Sequence, residues 1–366
     1  MTTTINGSSP SITFSDGSAQ TSATRPFQNR IINGAMVIDQ RNAGASVTPT
    51  NAQYTLDRWR AYLSQTSKYS VQQNAGSVTP PTGFTNYLGV TSLSAYSVGA
   101  SEFFSIQQFI EGFNVADLGW GTAQAKTVCL SFQVYSSLTG TFGGVLQNDA
   151  QNRSYPFTYS IPTANTWTTI SITVAGDTSG TWLTNNGRGI AVWFSLGTGS
   201  TLSGTAGSWS GSTFFSATGA TSVVGTNGAT FYITGVQLEV GSTATSFEYL
   251  DYGRSLIQCQ RYYHFLGGDT DYQSINNVVW YSSSEAVGFF RHPVQMRAAP
   301  TVAKSGNWAA LNGGTGTAGQ DLSTDQNGPK TIQLGFSSGS GGTAGYSAVL
   351  RVNSDSNIRL TFNAEL

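Results

Sequence analysis

The chain has 366 residues, 39% of them hydrophobic, but only 10% are charged and the net charge is −1. An average soluble protein carries roughly 25% charged residues, so there is no electrostatic basis here for binding nucleic acid or an anionic membrane. No apolar run reaches the length of about 20 residues that spans a bilayer, and two cysteines do not make a disulfide framework.

The opening MTTTINGSSP has neither the basic nor the apolar region of a signal peptide, so folding in a reducing cytoplasm is expected. Within residues 1–30, ITFSDGSAQTSATRP holds just two large apolar side chains, Ile12 and Phe14. That is too little to fold alone. The segment reads as a flexible tail or as an anchor that orders against partner chains, with Ile12 and Phe14 as its contacts.

Period-two patterns follow. In KTVCLSFQV, Val128, Leu130, Phe132 and Val134 share one face, and Cys129, Ser131 and Gln133 the other. In TTISITVAG, Ile170, Ile172 and Val174 alternate with Thr169, Ser171 and Thr173. GIAVWFSLG, residues 189–197, is almost continuously apolar, as in a strand covered on both faces. In FYITGVQLEV the inward set changes phase, from Phe231 and Ile233 to Val236, Leu238 and Val240. A one-residue slip reverses facing, so a bulge or kink is predicted near Gly235. The strand runs out at Gly241. In DYGRSLIQCQRYYHF, Leu256, Gln260 and Tyr263 recur at helical spacing, as do Ile257 and Arg261, which predicts a short helix over about 253–263. Strand signals resume in NNVVWYSS and EAVGFFRHPVQM. The final NIRLTFNAEL sets Ile358, Leu360, Phe362 and Ala364 against Arg359, Thr361, Asn363 and Glu365.

One-sided strands need a second sheet to cover them, which argues for an all-β protein of stacked sheets. The expected order is an extended N-terminal anchor (1–30), a jelly-roll β-sandwich (31–250), a short helical linker (251–264) and a C-terminal β-sandwich (265–366).

Motifs for chemistry are weak. GFSSG, residues 335–339, matches the nucleophile-elbow pattern around Ser337, but the SGSGGTAG that follows cannot start the helix an elbow needs. Gly314, Gly316 and Gly319 fit a dinucleotide fingerprint without the strand–turn–helix unit it requires. Cys259 and His264, five residues apart, would point about 140° apart on a helix, so they read as packing residues rather than a dyad. Asp16, Asp149, Asp177, Asp269 and Asp271 sit in turn contexts and none forms an evident acid pair. Aromatics are more suggestive. Trp120 in ADLGWGTA, Tyr155 in NRSYPF and Trp209 in AGSWSGS interrupt polar stretches. Such a ring stacks on a sugar, plugs a neighbouring subunit or lids its own core.

NRIINGAMVIDQR followed by YTLDRWRAYLS resembles the opening of a jelly-roll domain of bacteriophage tail-fibre and related virion proteins. IEGFNVADLGWGTAQAKTVCLSFQV, SYPFTY, TWTTISITVAGDTSGTW and FYITGVQLEVGSTATSFEYLDYGRSLIQCQRYY look like its other recurring segments, so the resemblance covers about residues 29–264. ITFSDGSAQTSA looks like a short repeat near the start of phage fibre proteins, and FFRHPVQMRAAPTV with the final FNAEL is similar to a domain that often follows. The resemblance implies a carbohydrate-binding-module-like sandwich in a homotrimeric virion component that contacts other virion proteins and host-surface polysaccharide. It supplies no catalytic residues, cofactor or metal to carry over.

The expected role is adhesive and structural rather than enzymatic, in a tail fibre or appendage of the virion. The alternatives are a purely structural part (head fibre, capsid decoration or adaptor) and a polysaccharide depolymerase. Trp120, Tyr155 and Trp209 are the expected glycan contacts. Leu256, Ile257, Gln260 and Tyr263 are the expected contacts between chains.

Overall fold

The computed structural model describes residues 28–312, 315–318, 321–338, 340–354 and 356–366, together with the backbone of 4–6, 11–13 and 19–20. Those three short N-terminal stretches form an antiparallel sheet in which Ile5 stands opposite Ile12. Phe14 lies outside the described residues.

The protein is all-β, with one short α-helix. Two antiparallel sheets stack first. The six-stranded sheet runs Ser154–Ile161, Gly140–Gln147, Arg188–Thr198, Phe103–Glu111, Trp59–Leu63 and Tyr54–Leu56. The five-stranded sheet runs Thr168–Val174, Val128–Ser136, Thr230–Val240, Leu88–Ser92 and Tyr69–Gln73. The chain crosses repeatedly between the sheets, as in a jelly roll. Alternation decides which side chains meet: Leu130, Phe132 and Val134 of one sheet are buried against Ile106, Val192 and Phe194 of the other. Phe132 lies edge-on to Tyr159 and Phe194, with ring centroids 5.1 and 5.0 Å away.

The Arg188–Thr198 strand is buried on both faces because the chain folds back over the outside of its sheet. Ile190, Val192, Phe194 and Leu196 face the sandwich core. Ala191 and Trp193 face outward, where Phe215 covers Trp193 in a parallel stack at 4.5 Å. The predicted irregularity in the Thr230–Val240 strand is present. Pairing with Val128–Ser136 shifts register between Thr234 and Gln237, and Gly235 sits at φ +61°. A Cβ there would come within 2.6 Å of the Phe84 ring, so glycine is required by both conformation and space.

The helix, α1, spans Tyr252–Gln260, shorter than its spacing predicts. Asp251 caps it by accepting a hydrogen bond from the Arg254 N–H at 3.0 Å. Tyr263 is not helical: it opens the strand Tyr263–Gly267, which pairs with Arg359–Asn363. Local spacing favoured another turn, but pairing with a strand nearly a hundred residues away prevailed. His264 is therefore a strand residue, and the helical angle between it and Cys259 does not apply.

The strands Tyr263–Gly267, Arg359–Asn363 and Thr301–Lys304 form a small sheet that packs on a seven-stranded one. At the centre of the larger sheet lie Ser347–Val352, Ser274–Trp280, Glu285–Arg291 and Thr331–Ser337. Val278, Trp280, Leu334, Phe336, Leu350, Leu360 and Phe362 fill the core between them.

Candidate functional site

Trp120, Tyr155 and Trp209, far apart in sequence, are brought together by the jelly roll. Trp209 lies 5.3 Å from Trp120 and 5.2 Å from Tyr155, between ring centroids. Trp182, which sequence reasoning missed, joins them at 4.8 Å from Trp120 and 5.4 Å from Trp209. The indole N–H groups of Trp120, Trp182 and Trp209 donate to the backbone carbonyls of Lys126, Ser179 and Ala175. The rings largely cover one another: Trp120 is 7% exposed and Tyr155 8%. Trp209, half-buried, is the most open of the trio.

A polar seam joins the two sandwiches. The buried Glu111 carboxylate accepts from Arg261 Nε and Nη2 at 2.9 and 2.6 Å and from the Tyr262 hydroxyl at 2.6 Å. Arg58, also buried, donates to Glu365 and to the Phe109 carbonyl, and its guanidinium lies 3.5 Å from the centre of the Tyr262 ring. Arg297 donates to the carbonyls of Ala364, Glu365 and Asn186. Gln40 holds Asp57 through its backbone N–H and side-chain amide, and also donates to the Tyr263 carbonyl. Burial pushes the Asp57 carboxyl up to about 6, against the pull of Arg41 and Gln40.

The four residues expected between chains divide. Tyr263 is buried within its own chain, under the Arg41 guanidinium at 3.7 Å. Leu256 packs with Ile32, Ile38, Cys259 and Tyr262. Gln260 borders a groove beside the small sheet. Ile257 points away, 54% exposed. It belongs to an open apolar stretch with Tyr249, Leu250 and Tyr252. Beside that stretch a cleft of about 490 Å³ is lined by Phe84, Phe247, Tyr249, Asn29, Arg254 and Gln258, among others.

The remaining chemical candidates are structural. Cys259 is buried, its thiol pushed well up by burial. His264 Nε2 lies 2.9 Å from His292 Nδ1, both rings buried against Phe362. Burial, and then His292, push His264 down to about 3. Ser337 ends a strand, with no helix behind it. Gly316 lies in the strand Thr315–Ala318, while Gly314 and Gly319 are outside the described residues. Asp149 bonds Arg188, Asp177 bonds Arg153 and Asp269 accepts from Gln273; Asp16 is outside the described residues. Among the described residues no three His, Cys, Asp or Glu side chains gather to hold a metal ion, and no helix is long and apolar enough to cross a membrane.

No family model matches the chain, and no curated protein matches it. Solved structures do. The enzymatically active domain of tailspike protein 4 from bacteriophage CBA120 shares 13% identity over 60% of this chain and 22% of that one, with a TM-score of 0.32. A family 11 carbohydrate-binding module from Clostridium thermocellum, in complex with a mixed-linked tetrasaccharide, shares 12% identity over 56% of this chain and all of that one, at 0.28. A Bacteroides thetaiotaomicron protein proposed to bind sugar shares 12% over 58% and 100%, at 0.33. This chain thus spans less than a quarter of the tailspike's length, and identities this low with TM-scores this small carry nothing about ligand or activity.

Proposed function

We propose that the chain is an adhesive structural component of a phage virion, a tail fibre or appendage. It attaches to the particle through its N-terminal segment and contacts host-surface glycans. The observation that carries this reading is where large apolar side chains stay exposed. Among the described residues, nine of eleven such side chains fall between Tyr249 and Tyr346, and two, Leu93 and Phe113, fall earlier in the chain. Exposed apolar patches of this kind mark contact surfaces. The low charge density keeps such contacts insensitive to salt, and several weak sites on one assembly give avidity.

The apolar stretch Tyr249, Leu250, Tyr252 and Ile257 fits a second copy of the chain, and assembly as a homotrimer through it is part of the proposal. The same stretch favours the purely structural reading, in which packing against neighbours is the whole function. Binding of the intact protein to cells of candidate hosts, with imaging of a C-terminally labelled virion, separates the two. Adhesive binding with a distal label on the tail supports the first; no binding across hosts, with the label on the head or at a joint between virion parts, supports the second. Release of reducing ends from capsule would replace both with a depolymerase.

A further inference from the structure

The outward face of the seven-stranded sheet carries a groove of about 360 Å³, within the range of small-ligand sites. Register builds it from three neighbouring strands. Glu285 stands opposite Ser337, Val287 opposite Gly335 and Phe289 opposite Gln333. On the far side Gly335 faces Ser323 and Gln333 faces Asp325. Successive residues of a strand alternate between faces, so Ala286, Ile332, Leu334 and Phe336 go to the core. Their neighbours line the groove.

Gly335 is the floor. It has no side chain, and a Cβ there would come within 2.3 Å of Ser323 Oγ. Larger groups stand around that floor. Tyr281 lines the groove and is 75% exposed; Phe289, 68% exposed, stands just outside the lining. Glu285, Asp325 and Gln333 supply two carboxylates and an amide, and Ser323 and Ser337 supply hydroxyls. Arg291, opposite Thr331, lies beyond Phe289 and does not line the groove.

We infer that this groove is a saccharide-binding site for a neutral glycan, with Tyr281 as the stacking platform. The inference rests on the glycan-contact reading above and gives it a place. An apolar ring face covers the C–H face of a pyranose. Acceptor carboxylates take hydrogen bonds from sugar hydroxyls, and charge-assisted bonds of this kind are the strong ones. Two carboxylates at a shallow site repel uronic and sialic acids, which sets the charge class of the ligand. The jelly-roll aromatics lack this openness, since their rings are spent on one another.

The test uses the full chain and calorimetry with soluble neutral oligosaccharides of glucose, galactose, mannose and N-acetylglucosamine, alongside oligogalacturonate and sialyl-lactose. A neutral oligosaccharide should bind. Tyr281→Ala should weaken it about tenfold or more, as loss of a central aromatic contact does, and Asp325→Asn should weaken it less. Phe113→Ala, at an exposed ring outside both aromatic groups, should leave it unchanged. Binding lost in Trp209→Ala but kept in Tyr281→Ala would overturn the groove and leave the adhesive function standing. Binding of acidic saccharides alone would also overturn it. So would a drop in oligomer size in Tyr281→Ala or Phe289→Ala by light scattering, which would make this face an interface between copies. No binding to any saccharide would overturn both the groove and the glycan-contact reading.

Discussion

The two sandwiches treat the same kind of residue in opposite ways. The jelly roll gathers its aromatics inward: Phe132 sits between Tyr159 and Phe194, and even the loop tryptophans Trp120, Trp182 and Trp209 pack on one another. The second sandwich leaves Tyr272, Tyr281, Phe289 and Tyr346 in solvent. Its seven-stranded sheet has just one covered face, because the three-stranded sheet is its only partner layer among the described residues. The first sandwich thus spends most of its aromatics on its own core, while the second leaves one face of its larger sheet open.

The comparison can be broken first in the jelly roll. Phe132→Ala removes a ring from the centre of the jelly-roll core and should cost about 3–5 kcal/mol, measured by denaturant unfolding. A loss below about 1 kcal/mol would mean the core is looser than its burial indicates. The seam comes next. Glu111→Ala leaves Arg261 and the Tyr262 hydroxyl without their shared acceptor. Breaking a buried pair costs about 3–5 kcal/mol, with Arg261's partial exposure drawing this case to the lower end. One cooperative transition in the parent should split into two.

Acid should then separate the two halves. His264 and His292 are the only histidines and both lie in the second sandwich. Burial lowers both in the folded state, His264 to about 3. The unfolded chain takes up protons below about pH 6.5 while the folded chain does not, so stability present above that pH falls as pH drops toward 3. For His264 the slope approaches about 1.4 kcal/mol per pH unit, and His292, lowered by burial in the same direction, adds to it. Asp57 has the opposite sign. Its folded carboxyl is raised to about 6, so it adds stability as pH falls from about 6 toward the unfolded carboxylate value. Hydrogen exchange at pH 7 and pH 4.5 should therefore loosen Tyr263–Gly267 and Arg359–Asn363 while sparing Val128–Ser136. Equal loosening of all three would refute the assignment.

The smallest expected effect on stability is on the open surface. Ile257→Ser should change unfolding by no more than about 0.5 kcal/mol, yet reduce the oligomer seen by light scattering. An unchanged oligomer would remove the 249–257 stretch from the assembly proposal.

Much of the fold was legible in the sequence. Alternation placed Val128–Ser136 and Thr168–Val174, the almost continuous apolar run of 189–197 revealed a strand covered twice, and the phase change at Gly235 revealed the bulge. Less of the site was legible. Trp120, Tyr155 and Trp209 stood out as aromatics in polar stretches, although Tyr155 belongs to the strand Ser154–Ile161, and nothing local said that they would meet or that Trp182 would join them. Tyr281 and Phe289 looked like ordinary strand aromatics, and GFSSG, rejected as an elbow, supplies Gly335 and Ser337 to a groove.

The division has one physical cause. A strand's facing is fixed by a two-residue period, which any short window of sequence contains. Whether a face is covered depends on which distant segment arrives. Phe215 arrives over Trp193, and the small sheet arrives over one side of the seven-stranded sheet. Tyr263 left the predicted helix to pair with Asn363, His264 found His292, and Arg261 found Glu111 across 150 positions. The sequence by itself determined the strands and their inward faces. The tertiary structure alone decided which outward faces stayed open, and so where this protein can make contact.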